Sequence, residues 1–121
     1  MKIKSFRDLE IWRRSICLVE QIYKITQNFP KEEAYGLTSQ IRRAAVSIPS
    51  NIAEGFARFY NKEYKQFLFV ALGSAAEVST QLTIAANLDY LKEEKFVVLL
   101  GEVEQISKMT MSLIKKLDSK D

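Results

Sequence analysis

Histidine is absent from this 121-residue chain. That removes the side chain most often used as a general base near neutral pH. It also removes the nitrogen ligands of the Glu-x-x-His pairs that build di-iron sites in helical bundles. The sequence holds no Gly-rich phosphate loop, zinc-ligand spacing or nucleophile elbow. Two carboxylates, Glu54 and Glu77, fall on the polar edges of two predicted helices. Facing one another, they would do acid–base work or hold a hard cation. The competing reading pairs each of them with Arg42, Arg43 or Arg58, and it is the one expected here because buried carboxylates are normally paired.

The arginines are the second source of chemistry. From Met1 to Lys24 there are six basic residues (Lys2, Lys4, Arg7, Arg13, Arg14, Lys24) against the acidic Asp8, Glu10 and Glu20. A basic N-terminal region would neutralise phosphates, the main sequence-independent source of nucleic-acid affinity. Arg7, Arg13, Arg14, Arg42 and Arg58 are the candidate nucleic-acid contacts. Arg42 and Arg43 are adjacent and therefore point about 100 degrees apart on a helix. Arg43 is the candidate for an ion pair with Glu77 or a subunit contact, and Arg42 for open surface. A third cluster, Phe56, Phe59, Tyr60 and Tyr64, has Arg58 and Lys62 beside it. It would either stack on unpaired bases or close the end of a bundle, and closure is the expected role.

The elements that carry these residues are read from periodicity. The stretch from Tyr35 to Arg58 places Leu37, Ile41, Ala45, Ile48 and Ile52 on one helical face. Gln40, Arg43, Ser47, Asn51, Glu54 and Arg58 run beside it as a polar stripe. Of these, Gln40, Arg43, Ser47, Asn51 and Glu54, with Glu77, are the candidate oligomer contacts. Pro49 predicts a kink in this second helix, which begins between Lys31 and Thr38 and runs to about Phe59. The first helix covers about Asp8 to Asn28, with Asp8 near its start and Phe29-Pro30 ending it. It has two apolar stripes, Leu9/Trp12/Ile16/Val19/Tyr23 and Ile11/Leu18/Ile22/Ile25/Phe29, a wider face than a small monomer needs. The third, about Lys62 to Leu88 with Asn61 as N-cap, repeats Tyr64, Leu68, Ala71, Ala75, Val78, Leu82 and Ala85 at alternating four and three. The fourth, about Lys92 to Leu117, turns Phe96, Leu99, Val103, Ile106, Thr110, Leu113 and Leu117 inward, with a frayed tail from Asp118. Short connections imply an all-α, antiparallel up-down-up-down four-helix bundle, one domain over residues 1–121.

Composition agrees with that frame. Apolar residues make up 47% and charged residues 27%, which suits a globular chain, and 4 Gly and 2 Pro leave room for long helices. Net charge is +3, only mildly basic. No apolar run is expected to approach the roughly 18 to 20 residues of a membrane span. Asp8 and Glu10 interrupt the place of a signal-peptide core, so export is not expected. The single Cys17 makes no internal disulfide, which fits a reducing cytoplasm, and its neighbours Ile16, Leu18 and Val19 predict a buried position.

The combination Gln-Ile-Arg-Arg-Ala at 40–44 and Ser-Ile-Pro-Ser-Asn-Ile-Ala-Glu-Gly at 47–55 is specific. With Phe6, Asp8, Leu9 and Trp12, with Phe29-Pro30, and with Tyr64, Phe67, Leu68, Ala71, Gly73, Ser74 and Glu77, it resembles the four-helix-bundle proteins encoded in intervening sequences of bacterial 23S ribosomal RNA genes. That family is similar in turn to the accessory variability determinants of diversity-generating retroelements, five-membered barrels that bind nucleic acid and partner a reverse transcriptase. The resemblance implies a homo-oligomer, a pentamer, without catalytic activity or cofactor. It implies RNA or DNA as ligand, with a reverse transcriptase as partner by analogy. A protein-interaction scaffold is the alternative, and an enzyme using Glu54, Glu77 and a metal is the third reading.

Overall fold

The computed structural model describes residues 3–120. Four helices carry the chain: α1 (Glu10–Thr26), α2 (Leu37–Phe56), α3 (Asn61–Asn87) and α4 (Glu93–Lys120). Short 3-10 turns at Phe6–Asp8 and Lys31–Glu33 precede α1 and α2. There is no strand among the described residues. Each helix packs on the next in sequence, and α1 also meets α4.

The helix ends explain where expected boundaries moved. Asp8 does not open α1. Its carboxylate accepts from the Ser5 and Lys4 amides, both at 3.1 Å, and so caps the 3-10 turn before it. Leu9 is the N-cap of α1, without a side-chain cap. Gly36 is the N-cap of α2, and the cap comes instead from Glu33, whose Oε1 accepts from the Leu37 amide at 3.0 Å. A Cβ at Gly36 would stand 2.8 Å from that oxygen, which would have to shift to admit it. Glu33 Oε2 also accepts from the Tyr90 hydroxyl at 3.0 Å, tying the α1–α2 connection to the α3–α4 turn. Phe29 and Tyr90 stack beside it with ring centroids 5.6 Å apart. At the far end α2 stops at Phe56 rather than Phe59. Tyr60, not Asn61, is the N-cap of α3. α4 is helical to Lys120, past Asp118, from which fraying is expected. Asp118 accepts from Lys65 at 2.7 Å, which places the start of α3 against the end of α4.

The core is the one the periodicity implies. Leu18, Ile22, Ile41, Ile48, Ile52, Leu68, Val78, Leu82, Leu99 and Ile106 are all nearly inaccessible to solvent. In α1 only the Ile11/Leu18/Ile22 stripe faces inward, with Ser15 and Thr26. The Trp12/Ile16/Val19 stripe lies at its edge, half-buried, and Tyr23 is exposed. Cys17 is exposed, contrary to the expectation of a buried position. Its sequence neighbours are apolar, but its neighbours three and four residues away on the helix are Arg13, Arg14, Glu20 and Gln21, which hold the outward side.

α3 departs from expectation in another way. It is long and apolar enough to cross a membrane by length and composition alone, with a mean hydropathy of 1.4, so the expectation that no stretch approaches that length does not hold. In the bundle 39% of that stretch is buried. Phe69, Val70 and Ile84 stand exposed along it, with Leu88 exposed at its C-cap.

α2 and α3 approach closely. A Cβ at Gly55 would lie 2.9 Å from both Phe67 Cβ and Tyr64 Cδ1 and 3.1 Å from the Tyr64 carbonyl oxygen. Alanine ordinarily stabilises a helix interior over glycine by up to about 1 kcal/mol. Here overpacking reverses the sign: Gly55→Ala should destabilise by about 1–3 kcal/mol. Gly101→Ala, with nothing within 4 Å of its Cβ, should stabilise by about 0.5–1 kcal/mol. Urea denaturation of the two variants checks the pair.

Candidate nucleic-acid and subunit interface

The polar stripe of α2 meets α3 in register. The Ser74 hydroxyl donates to Ser47 Oγ at 2.8 Å, and Asn51 Nδ2 donates to Ser47 Oγ at 2.9 Å and to the Ser47 carbonyl at 2.8 Å. Four residues earlier on α2, Arg43 shares a groove of about 290 Å³ with Gln40, Ala44, Ser47, Glu77 and Gln81. Arg43 and Glu77 are exposed there and form no ion pair among the described residues. Gln81 is only 8% exposed, and its Oε1 is buried with no hydrogen-bond partner. A buried acceptor without a donor is costly, and in native proteins it calls for an explanation.

This register overturns the carboxylate pair. Ser47 lies level with Ser74, and Gly55 lies level with Tyr64 and Phe67. Glu54 is therefore about ten residues of α3 away from Glu77, roughly 15 Å at the helical rise. Glu54 is exposed, and neither carboxylate pairs with Arg42, Arg43 or Arg58. The described residues contain no group of three or more Cys, Asp and Glu placed to hold a metal ion. Of the six candidate oligomer contacts, Gln40, Arg43, Ser47 and Glu77 share one groove, Asn51 is bonded to Ser47, and Glu54 stands apart.

The candidate nucleic-acid arginines divide into two sets. Arg14 reaches across to α4: Nε and Nη2 donate to the two oxygens of Glu102 at 2.9 and 3.3 Å, and Nη1 donates to Glu10 at 3.2 Å. The two carboxylates hold its guanidinium charged, raising its already high pKa. Arg42 is half-buried rather than on open surface. Its Nε donates to Thr26 Oγ1 at 2.8 Å, and its guanidinium lies 4.5 Å over the Tyr23 ring. Arg7, Arg13 and Arg58 remain exposed. Arg7 lies over Phe6, Arg58 lies over Phe67, and Arg13 donates to the Asp8 carbonyl at 3.0 Å.

The aromatic cluster also splits. Phe56 and Tyr64 meet edge to face with centroids 6.1 Å apart, and burial pushes the Tyr64 phenol up to about 12. Phe59 and Tyr60 do not close the bundle end: they are 89% and 65% exposed. A second, apolar groove of about 310 Å³ runs between α1 and α2. It is lined by Phe6, Trp12, Ile16, Val19, Val46, Pro49, Ser50 and Ala53. Gln81 and Ser74 were not among the sequence candidates. The available signal was Gln81's place four residues after Glu77, on the same helix edge.

The family model of the 23S rRNA-intervening sequence proteins matches residues 7–112. No curated protein matches the chain. A crystal structure at 1.70 Å of a protein with unknown function from the S23 ribosomal protein family of Bacteroides thetaiotaomicron VPI-5482 superposes with a TM-score of 0.79. It is 24% identical and covers 87% of this chain and 98% of its own, and it shows the same fold.

Two measurements follow from this geometry. Glu54→Ala should change subunit stability by less than about 0.5 kcal/mol, as for an exposed residue, and thermal melts check it. Tyr64 sets a pH limit. In the unfolded chain its phenol ionises near 10. Between about 10 and 12 the unfolded state loses a proton that the folded state keeps, so stability should fall as pH rises through that window. Tyr64→Phe should remove this part of the alkaline loss, together with a late-ionising phenolate signal in an ultraviolet titration.

Proposed function

Because the chain belongs to the 23S rRNA-intervening sequence protein family, we propose that it is a non-enzymatic, cytoplasmic homo-oligomer, a pentamer, that binds nucleic acid as the accessory subunit of a ribonucleoprotein. The observation that carries this reading is α3, apolar enough to span a membrane yet exposing Phe69, Val70 and Ile84 along its length and Leu88 at its C-cap. Large apolar side chains exposed together on one helix face mark a surface that is normally covered. Arg43, Glu77 and Gln81 line a groove at its α2 edge that a neighbouring copy would cover. A closed ring needs two unlike surfaces on each copy. The α2–α3 edge and the apolar α1–α2 groove are two such surfaces. Five-fold order is what the resemblance to accessory variability determinants implies, and the lone Cys17 fits a reducing compartment. Arg7, Arg13 and Arg58, exposed at α1's N-terminal end and at the α2–α3 turn, are the phosphate contacts in this reading. Arg14 and Arg42 hold the fold.

Val97 and Val98, 59% and 65% exposed on α4, favour a second reading as a scaffold for another polypeptide. A reverse transcriptase is the partner suggested by analogy. A pull-down that returns protein without nucleic acid would select it.

Light scattering should give about 70 kDa for the purified protein, five copies of 13.9 kDa. Ile84→Asp should reduce the mass to that of one copy while helicity by circular dichroism is kept. Gel shifts should show RNA and DNA bound at low salt and released as salt rises. A wild-type monomer refutes the oligomer, and no shift even at low salt refutes the nucleic-acid role.

A further inference from the structure

The turn between α2 and α3 carries two aromatic rings that the fold does not use. Phe59 and Tyr60 are 89% and 65% exposed, and they meet edge to face with centroids 5.0 Å apart. Their neighbours show what packing at this end requires. Phe56 and Tyr64 pack against each other, and the Arg58 guanidinium spreads over Phe67 at 4.6 Å. With that packing complete, Phe59 and Tyr60 project beyond it.

The turn itself is short and held. The Arg58 amide donates to the Gly55 carbonyl at 3.0 Å, and the Tyr64 amide donates to the Tyr60 carbonyl at 3.1 Å. Tyr60 is the N-cap of α3, at φ −101° and ψ 140°, and makes no side-chain capping bond. Asn61, a good capping residue, stands one position too late to serve. The chain thus forgoes a local hydrogen bond and places a ring there.

The charge around the rings selects the occupant. Arg58 and Lys62 flank them in sequence and are exposed. The Lys65–Asp118 pair brings the end of α4, with exposed Lys115 and Lys116, to the same end of the bundle. Glu54, Glu63 and Asp118 are the nearby acids, and Asp118 is engaged by Lys65. Exposed rings beside cations suit a ligand with flat π faces and a phosphate backbone.

Resting on the nucleic-acid reading above, we infer that Phe59 and Tyr60 form a stacking platform for unpaired bases of single-stranded RNA or DNA, with Arg58 and Lys62 on the adjoining phosphates. Duplexes, whose bases are already stacked inside, gain only the phosphate contacts.

Fluorescence anisotropy with labelled oligo(dT), oligo(U) and a mixed-sequence duplex tests this on the full chain. Phe59→Ala and Tyr60→Ala should each weaken single-strand binding by about tenfold or more. Duplex binding should change less than about threefold, and Phe59→Trp should restore the single-strand affinity. Lys62→Ala should weaken both ligands and reduce the salt dependence by about one phosphate contact. Equal weakening of single strand and duplex by the alanine variants overturns the platform, as does unchanged single-strand binding. A fall in oligomer mass in Phe59→Ala also overturns it, because the rings would then be subunit contacts. If the wild-type chain binds neither ligand, the nucleic-acid reading fails with it; if wild type binds and the ring variants match it, only the platform fails.

Discussion

The close approach of α2 and α3 governs the rest of this molecule. Small residues stand at the two points of approach: Ser47 against Ser74, and Gly55 against Tyr64 and Phe67. At Gly55 there is no space for even a methyl group. Small side chains bury little apolar area each, but they let two backbones come near and fix the register between them. The Ser47–Ser74 hydrogen bond marks that register. Every statement about which residues of the two helices share a site depends on it.

Register turns one polar stripe into several unlike places. At the level of Ser74 the stripe is satisfied within the chain, by Asn51 and the two serines. One turn away Arg43, Glu77 and Gln81 share a groove without completing each other, and the Gln81 oxygen is left without a donor. Further along, Glu54 faces water. The same separation runs through the arginines. Arg14 clamps α1 to α4, and Arg42 bridges α2 to α1. Their chemistry is spent on holding helices together, whereas Arg7, Arg13 and Arg58 keep an exposed face. A guanidinium has five donors and a flat ring-stacking surface, so it can serve either purpose.

The two ends of the bundle differ in the same physical terms. At one, Glu33 caps α2 and accepts from Tyr90, whose phenol is held above its ordinary pKa chiefly by that bond. Phe29 packs on the Tyr90 ring, so the aromatic residues there are part of the closure. At the other, Phe56 and Tyr64 complete the packing and the next two rings project past it.

The amino-acid order by itself determined the four helices and their inward faces. Those follow from spacing along one chain: a residue's neighbours at three and four positions decide whether its side of a helix is oily. Leu68 through Ala85 and Leu99 through Leu117 were legible for that reason. Even Cys17 was legible in principle, since its helical neighbours are polar or charged although its sequence neighbours are apolar. Boundaries moved where a side chain from outside the helix supplied the cap, as Glu33 does for α2. What only the tertiary structure decided is how far one helix slides along another. That shift separates Glu54 from Glu77, leaves the Gln81 oxygen without a donor, ties Arg14 and Arg42 to neighbouring helices, and sets Phe59 and Tyr60 beyond the packed end. Periodicity fixes a direction around each helix axis, but it contains no information about height along a neighbour. Height is set by how small residues and hydrogen bonds fit between two surfaces, a property of the pair.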